Sequence, residues 1–205
     1  MNGKTHIIGG MTAAMTLTTI GGLELFLRTG QDYTSLGVFL GASAVGALIP
    51  DIDHKNSTIS SDAGIVSFIV RLFCKHRGFT HSLWFLSIFM FLSYNAITSS
   101  VSNLMITALL GISVGIGSHI LLDFLNPKGV EMYWPYPKKI GLGIITTGTI
   151  LETVFKYCLV IMFAYLVYIR IKFGIFKDFN FEVFFATLRC LKSDILSILS
   201  KIPLK

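Results

Sequence analysis

The residues of this chain best suited to metal chemistry are its histidines, together with three of its aspartates. Asp51, Asp53 and His54 fall within four consecutive residues. His119 and Asp123 are four positions apart, so on a helix they share one face and can bind the same ion. The remaining histidines, which bring the total to five, are His6, His76 and His81. Imidazole and carboxylate ligands without thiolate suit zinc, manganese or iron better than calcium.

Each motif also has a simpler explanation when it is considered alone. The His119–Asp123 pair can be a helix-end hydrogen bond, and residues 51–54 can be a solvated loop or a helix cap. His6 can be a histidine at the membrane interface. The cysteines form no C-x-x-C pair, so the sequence predicts neither a thiolate metal site nor a disulfide framework.

Apolar stretches of transmembrane length dominate the chain. Hydrophobic residues make up 53% and charged residues 14% of it, whereas soluble domains carry about 25% charged residues. The candidate spans are residues 7–27, 36–49, 82–97, 104–125 and 149–171. We therefore predict an all-α integral membrane protein with about four to five transmembrane helices in a bundle, plus a C-terminal amphipathic helix.

The pattern divides the chain into three parts. Residues 1–148 are predicted to form a membrane bundle with the metal-site motifs, and residues 149–171 a further transmembrane or re-entrant helix. Residues 172–205 form an amphipathic basic tail, in which apolar side chains recur every three or four positions. Such a helix lies in the membrane interface or packs on the bundle, and the pattern leaves both arrangements open.

An up-and-down bundle would bring the candidate ligands to one membrane face. The start of the first helix, the end of the second, the start of the third and the end of the fourth all lie on that side. The metal ligands predicted there are His6, Asp51, Asp53, His54, His81, His119 and Asp123. Ionisable residues at a membrane edge are costly and usually functional, which favours a metal site. Zinc is the expected metal, with manganese or iron as alternatives. Because seven candidates exceed the three or four ligands that one catalytic zinc needs, we expect two or more ions.

Basic residues predict that this face is cytoplasmic, because short loops rich in Lys and Arg remain inside. The segments on this face hold Lys4, Lys55, Arg71, Lys75, Arg77, Lys128, Lys138 and Lys139. The short loops on the opposite face hold Arg28. The tail conflicts with this count, because five spans would place its basic residues outside.

At these motifs the chain resembles the YdjM-type inner-membrane metal-dependent hydrolases of bacteria. The matching pieces are His6, residues 46–54 (GALIPDIDH), 76–82 (HRGFTHS) and 117–123 (GSHILLD), followed by Gly129-Val130 and Trp134-Pro135. The resemblance covers roughly residues 1–140 and implies an inner-membrane location and a metal site. The order of the motifs is also similar to that of zinc-dependent phospholipases C. Where the family usually has Thr after the H-x-x-x-D motif, this chain has Asn126.

The leading hypothesis is a metal-dependent hydrolase that cleaves a phosphoester, in a lipid or lipid-linked substrate, at the cytoplasmic membrane face. His76 is interpreted as a general acid/base and Arg77 as the residue that steadies the substrate anion. Lys128 and Trp134 are further candidates for substrate binding. The alternatives are a metal transporter or sensor, and a membrane protein with a structural metal. The expected partner is membrane lipid, and no basic recognition element indicates nucleic acid.

Overall fold

Five α-helices make up most of the chain that the computed structural model describes, which comprises residues 1–19, 33–53, 78–99 and 101–173. They are α1 (Gly3–Thr19), α2 (Tyr33–Gly46), α3 (Leu83–Thr98), α4 (Asn103–Phe124) and α5 (Ile150–Phe173). A first 3₁₀ turn (Ile49–Asp53) follows α2, and a second 3₁₀ turn (Phe79–His81) precedes α3. Within these ranges the only β pairing is one isolated bridge, so the predicted all-α fold is confirmed. The predicted tail helix lies outside the described residues.

Long apolar helices place this protein in a membrane. Thr34–Asp53, Asn103–Phe124 and Ile150–Lys172 are long and apolar enough to cross a bilayer, by length and composition. The 16-residue α3 is apolar but shorter. Large apolar side chains remain exposed along α3 and α5, for example Trp84 (61%) and Ile161 (68%). Lipid rather than water is the solvent that tolerates such surfaces, so the described helices form an integral membrane bundle.

Helix α4 lies at the centre of the bundle. It packs against α1, α2 and α3, while α1 also contacts α2 and α5. The close approach depends on glycine, because a methyl group at Gly46 or Gly115 would collide with backbone atoms of the facing helix. At the same level, the Ser43 Oγ of α2 donates a hydrogen bond to the Gly10 carbonyl of α1 (2.7 Å). The three helices therefore come closest about one turn before His119.

The segment between α4 and α5 folds back over the carboxyl end of α4. The Leu142 N–H donates to the Phe124 carbonyl (2.8 Å), and the Ile144 and Ile145 N–H groups donate to the Leu125 carbonyl (2.9 and 3.1 Å). These bonds satisfy carbonyl groups that a helix end otherwise leaves without an intrahelical partner. The segment is thus an ordered lobe fixed to the end of α4.

Asn126 anchors this lobe. Its side chain is buried. The Nδ2 group donates to the Thr147 hydroxyl (2.6 Å), and Oδ1 accepts from the Lys128 backbone N–H (3.0 Å). An amide can serve both contacts at once, since it carries a donor and an acceptor.

Candidate metal centre

Four separate elements bring the candidate ligands together. His6 comes from the first turn of α1, Asp51 from the first 3₁₀ turn, and His81 from the end of the second 3₁₀ turn. His119 and Asp123 lie in the last turns of α4. All five come from one end of the bundle, as expected for the up-and-down arrangement. Helix α1 begins at Gly3 rather than at Ile7, so His6 lies within a formed helical turn.

The ligand atoms of these residues form a tight cluster. His81 Nε2 lies 3.1 Å from His119 Nε2, and Asp123 Oδ2 lies 3.7 and 3.9 Å from these two nitrogens. Asp51 Oδ1 lies 3.9 Å from His81 Nε2 and 3.8 Å from His119 Nε2. Two ligands bound at about 2.0–2.1 Å to a tetrahedral zinc ion lie roughly 3.3 Å apart. The separations among His81, His119 and Asp123 are close to this value, so a small inward movement would place these three atoms around one ion, with Asp51 beside them.

The backbone fixes which nitrogen of His119 faces the cluster. His119 Nδ1 lies 2.6 Å from the Ala47 carbonyl oxygen. A carbonyl can only accept a hydrogen bond, so Nδ1 carries the proton and a neutral ring presents its Nε2 lone pair to the cluster. A hydrogen bond of this kind behind a metal-binding histidine sets the tautomer and the ring orientation.

A chain of hydrogen bonds likewise fixes which nitrogen of His81 faces the cluster. The Thr80 hydroxyl donates to Asp53 Oδ2 (2.6 Å), because an ionised carboxylate can only accept. The Thr80 oxygen then accepts from His81 Nδ1, which lies 3.0 Å away. Asp53 Oδ2 itself is 3.5 Å from this Nδ1. The arrangement therefore directs the Nε2 lone pair of His81 toward His119.

These tautomers fit a bound cation. With protons on both Nδ1 atoms, the two Nε2 lone pairs face each other at 3.1 Å. Two acceptors at this distance repel one another unless a positive charge lies between them. A divalent ion supplies that charge, and Asp123 beside the two nitrogens completes a mixed N/O ligand set. The residues present thus fit a metal ion.

His6 adjoins this cluster from α1. Its ring stacks on that of His119, with centroids 3.7 Å apart, and its Nε2 lies 3.4 Å from Asp123 Oδ1. The amino group of Met1 contacts the same carboxylate oxygen. Neither ring nitrogen of the buried His6 forms a hydrogen bond within the described part of the chain. A nitrogen of His6 also falls within 4.8 Å of the ligand atoms of Asp51 and His119, so His6 can contribute to the site.

Asp51 marks the open edge of the cluster. Its side chain is 17% exposed, whereas those of His6, His81, His119 and Asp123 are at most 1% exposed. Water or a substrate group would therefore reach the ligand atoms on the Asp51 side.

The other predicted site residues are distributed differently. His54, His76 and Arg77 lie outside the described residues. Lys128 is exposed on the lobe after α4. Trp134 is partly exposed and packs edge-to-face on Phe79, with ring centroids 5.1 Å apart. The structure brings neither Lys128 nor Trp134 into the two ligand groups.

Sequence reasoning missed Thr80 and Glu152. Thr80 directly precedes His81 in the sequence, but only its hydrogen bonds in the structure reveal its role. Glu152 is buried, and its carboxylate accepts from the Asn2 N–H (2.6 Å), the Thr5 hydroxyl (3.1 Å) and the Gly148 N–H (2.7 Å). It therefore ties α5 to the first turn of α1, which holds His6. An acidic residue in an apolar helix was the available signal.

Comparisons with known proteins agree with this description. The sequence matches the YdjM inner membrane protein family over residues 1–176. It is 32% identical to the YvsG protein of Bacillus subtilis (strain 168) over 153 residues, which cover 74% of this chain and 85% of that protein. It is 37% identical to the inner membrane protein YdjM of Escherichia coli (strain K12) over 100 residues, which cover 48% of this chain and 50% of that protein. No solved structure matches. With most of its length matched and with apolar helices of membrane-spanning length, the chain belongs to the YdjM family of inner membrane proteins.

Proposed function

We propose that this protein is a metal-dependent hydrolase that cleaves a phosphoester of a lipid or lipid-linked substrate at the cytoplasmic face of the inner membrane. The observation that carries the proposal is the pair of opposed Nε2 atoms of His81 and His119, flanked by carboxylates and fixed from behind by hydrogen bonds. Such preorganised imidazole–carboxylate sets suit catalytic divalent metals. Their position at a membrane edge suits a substrate with its headgroup in the interface.

We assign one ion to the described residues, with zinc preferred and manganese or iron as alternatives. The ligands would be His81, His119 and Asp123, with Asp51 and His6 beside them. The two ligand groups share His119, whose Nδ1 is occupied by the Ala47 carbonyl, so both groups use the same Nε2. A second ion would have to draw on residues outside the described ranges, such as His54.

The residues around this ion have separable tasks. When bound, the ion would supply the Lewis acid that activates water and stabilises negative charge on a phosphoryl group. Asp51, at the open edge, is placed to accept a proton from an incoming water. Asp53, predicted as a ligand, orients His81 through Thr80 in this proposal. His76 and Arg77 stay proposed as acid/base and anion-binding residues, and Lys128 and Trp134 as residues beside the substrate.

A structural metal is the second candidate, because the burial of His81, His119 and Asp123 also suits a closed site. Transport fits less well, since transporters bind their ions near the bilayer midplane and these ligands lie at helix ends.

Metal removal and reloading of purified protein test the hydrolase proposal. Protein reconstituted in lipid nanodiscs should cleave phospholipid or a soluble phosphodiester when loaded with zinc or manganese. Chelation should lower the rate by at least about 10²-fold, because the Lewis acid is lost, and reloading should restore it. Comparing the phospholipid with the soluble phosphodiester shows whether a lipid is required. Stoichiometric metal without cleavage of either substrate would favour the structural alternative.

The cytoplasmic orientation is testable by thiol labelling. Helices α3 and α4 run in opposite directions, so Ser99, after α3, and Lys138, after α4, should lie at opposite membrane faces. Both residues are exposed. In a cysteine-free background, a membrane-impermeant maleimide should label Ser99→Cys in intact cells and Lys138→Cys only after permeabilisation. The reverse pattern would place the site on the outer face and contradict this part of the proposal.

A further inference from the structure

The lobe between α4 and α5 presents an exposed surface that combines aromatic, aliphatic and basic side chains. We define this aromatic–lysine surface as Tyr133, Trp134, Tyr136, Leu142, Ile144, Lys128, Lys138 and Lys139, all of which are exposed. Tyr136 alone keeps 63% of its surface accessible. The acidic residue of this lobe, Glu131, is only partly exposed. The surface therefore carries three positive charges among large apolar groups.

The lobe holds these side chains on a fixed backbone. Val130 and Ile140 exchange two backbone hydrogen bonds of 3.0 Å, which close the nine-residue segment between them. Gly129 adopts a positive φ of 61° directly before this bridge, where a Cβ would lie 2.7 Å from the Ile140 oxygen. Val130 is fully buried. Apolar side chains held outward by an ordered backbone need a partner, because water solvates them poorly.

The surface adjoins the end of the bundle that carries the metal centre. The Leu83 N–H donates to the Met132 carbonyl (3.0 Å), so the lobe contacts the start of α3. Trp134 packs on Phe79, which belongs to the same 3₁₀ turn as His81. Because α4 ends and α3 begins at this membrane face, the lobe lies at the level of the bilayer surface.

We propose that the aromatic–lysine surface binds the headgroup layer of anionic phospholipids. Tyrosine and tryptophan rings favour the membrane–water interface, where an apolar ring and a polar edge are both satisfied. Lysines beside them attract anionic headgroups at the same depth. Charge complementarity thus favours anionic over zwitterionic lipid. The surface includes Lys128 and Trp134, which are also proposed to lie beside the substrate. The lipid-binding proposal does not rest on the metal-dependent activity, however, since no metal ligand belongs to this surface.

The two tryptophans allow a direct test. Trp84→Phe leaves Trp134 as the only tryptophan, on the surface in question, whereas Trp134→Phe leaves Trp84, which is exposed on α3. Each protein is placed in nanodiscs of phosphatidylcholine with a minor fraction of phosphatidylglycerol. In one preparation the phosphatidylcholine carries bromine on the part of its acyl chains near the headgroup, and in the other the phosphatidylglycerol does. Both preparations contain the same mole fraction of brominated lipid. The ratio of tryptophan quenching by the two brominated lipids reports local enrichment of phosphatidylglycerol.

We expect a ratio of roughly two or more at Trp134, which falls to about one in Lys128→Gln/Lys138→Gln/Lys139→Gln. The ratio at Trp84 should be about one in both backgrounds. Equal quenching at Trp134 in the otherwise unchanged protein would overturn the preference for anionic lipid. No quenching by either lipid would place the surface outside the bilayer and point to a second copy or an acidic protein as its partner. Metal content, measured on the same samples, separates these outcomes from any failure of the hydrolase proposal.

Discussion

His119→Ala is expected to reduce the metal content of the purified protein to background. The substitution removes one of the two opposed Nε2 ligands and also the hydrogen bond to the Ala47 carbonyl. A catalytic zinc site usually has at least three protein ligands, and without His119 only His81 and Asp123 of the three proposed ligands remain. Elemental analysis after purification in metal-supplemented buffer measures the effect.

Two variants separate loss of the ion from loss of the fold. Leu121→Ala lies on the same turn of α4, but its side chain is 61% exposed toward lipid, so it should retain wild-type metal content. Asp123→Asn keeps the shape of the side chain and removes the charge, and should lose the ion while the protein stays monodisperse. Wild-type metal content in both His119→Ala and Asp123→Asn would falsify the proposed centre.

The sequence predicted the helices of the bundle closely because apolar runs and their polar ends define them. The predicted third and fourth spans, 82–97 and 104–125, differ by a single residue at each end from Leu83–Thr98 and Asn103–Phe124. The prediction of the second span, 36–49, was less accurate, since α2 ends at Gly46 and a 3₁₀ turn begins at Ile49. Pro50 lacks the N–H that a continuing helix needs, and its position explains this break.

The sequence predicted that the ends of α1 and α4 and the two 3₁₀ turns lie at one end of the bundle, because alternating helix direction places helix ends on shared faces. The role of each residue at this end was not predictable. The distinction between Asp123, which faces the nitrogens, and Asp53, which contacts Thr80 behind His81, depends on backbone positions of a 3₁₀ turn. The buried contacts of Glu152 likewise connect residues almost 150 positions apart, which no local pattern encodes.

The close packing of α2 on α4 explains why this site can be so compact. Gly46 and Gly115 allow the backbones to approach, and Ala47, next to Gly46, then presents its carbonyl within hydrogen-bond distance of His119. A bulkier residue at either glycine would move the carbonyl away and release the ring. The small-residue pattern of α2 and α4 therefore positions a ligand as well as stabilising the bundle.

Thr80→Val is expected to weaken metal binding by about 10–100-fold without unfolding the protein. Valine is similar to threonine in size, so the substitution at this buried position chiefly removes the hydroxyl. What is lost is the hydroxyl that accepts from His81 Nδ1 and donates to Asp53. Without it, His81 no longer has a fixed tautomer, and its Nε2 is less available to the ion. Titration of metal-free protein with zinc, against a competing chelator of known affinity, measures the change.

Thr80→Ser is the matched control, because it keeps the hydroxyl and removes only a methyl group. It should bind zinc within a few-fold of the wild-type affinity, since the hydrogen-bonded chain is preserved. Equal loss in Thr80→Ser and Thr80→Val would assign the effect to packing and contradict the orienting role of the hydroxyl.

Asp53→Asn decides whether Asp53 acts through Thr80 or binds the ion itself. If Asp53 orients His81 through the chain Asp53–Thr80–His81, the substitution should cost about as much affinity as Thr80→Val. The double variant should then be little worse than either single variant, because both changes break the same chain. If Asp53 is instead a ligand, its loss should match that of Asp123→Asn and should add to the effect of Thr80→Val. Asp53 Oδ2 lies 3.5 Å from His81 Nδ1, and the Thr80 oxygen is closer to each of them, at 2.6 and 3.0 Å, which leads us to expect the non-additive result.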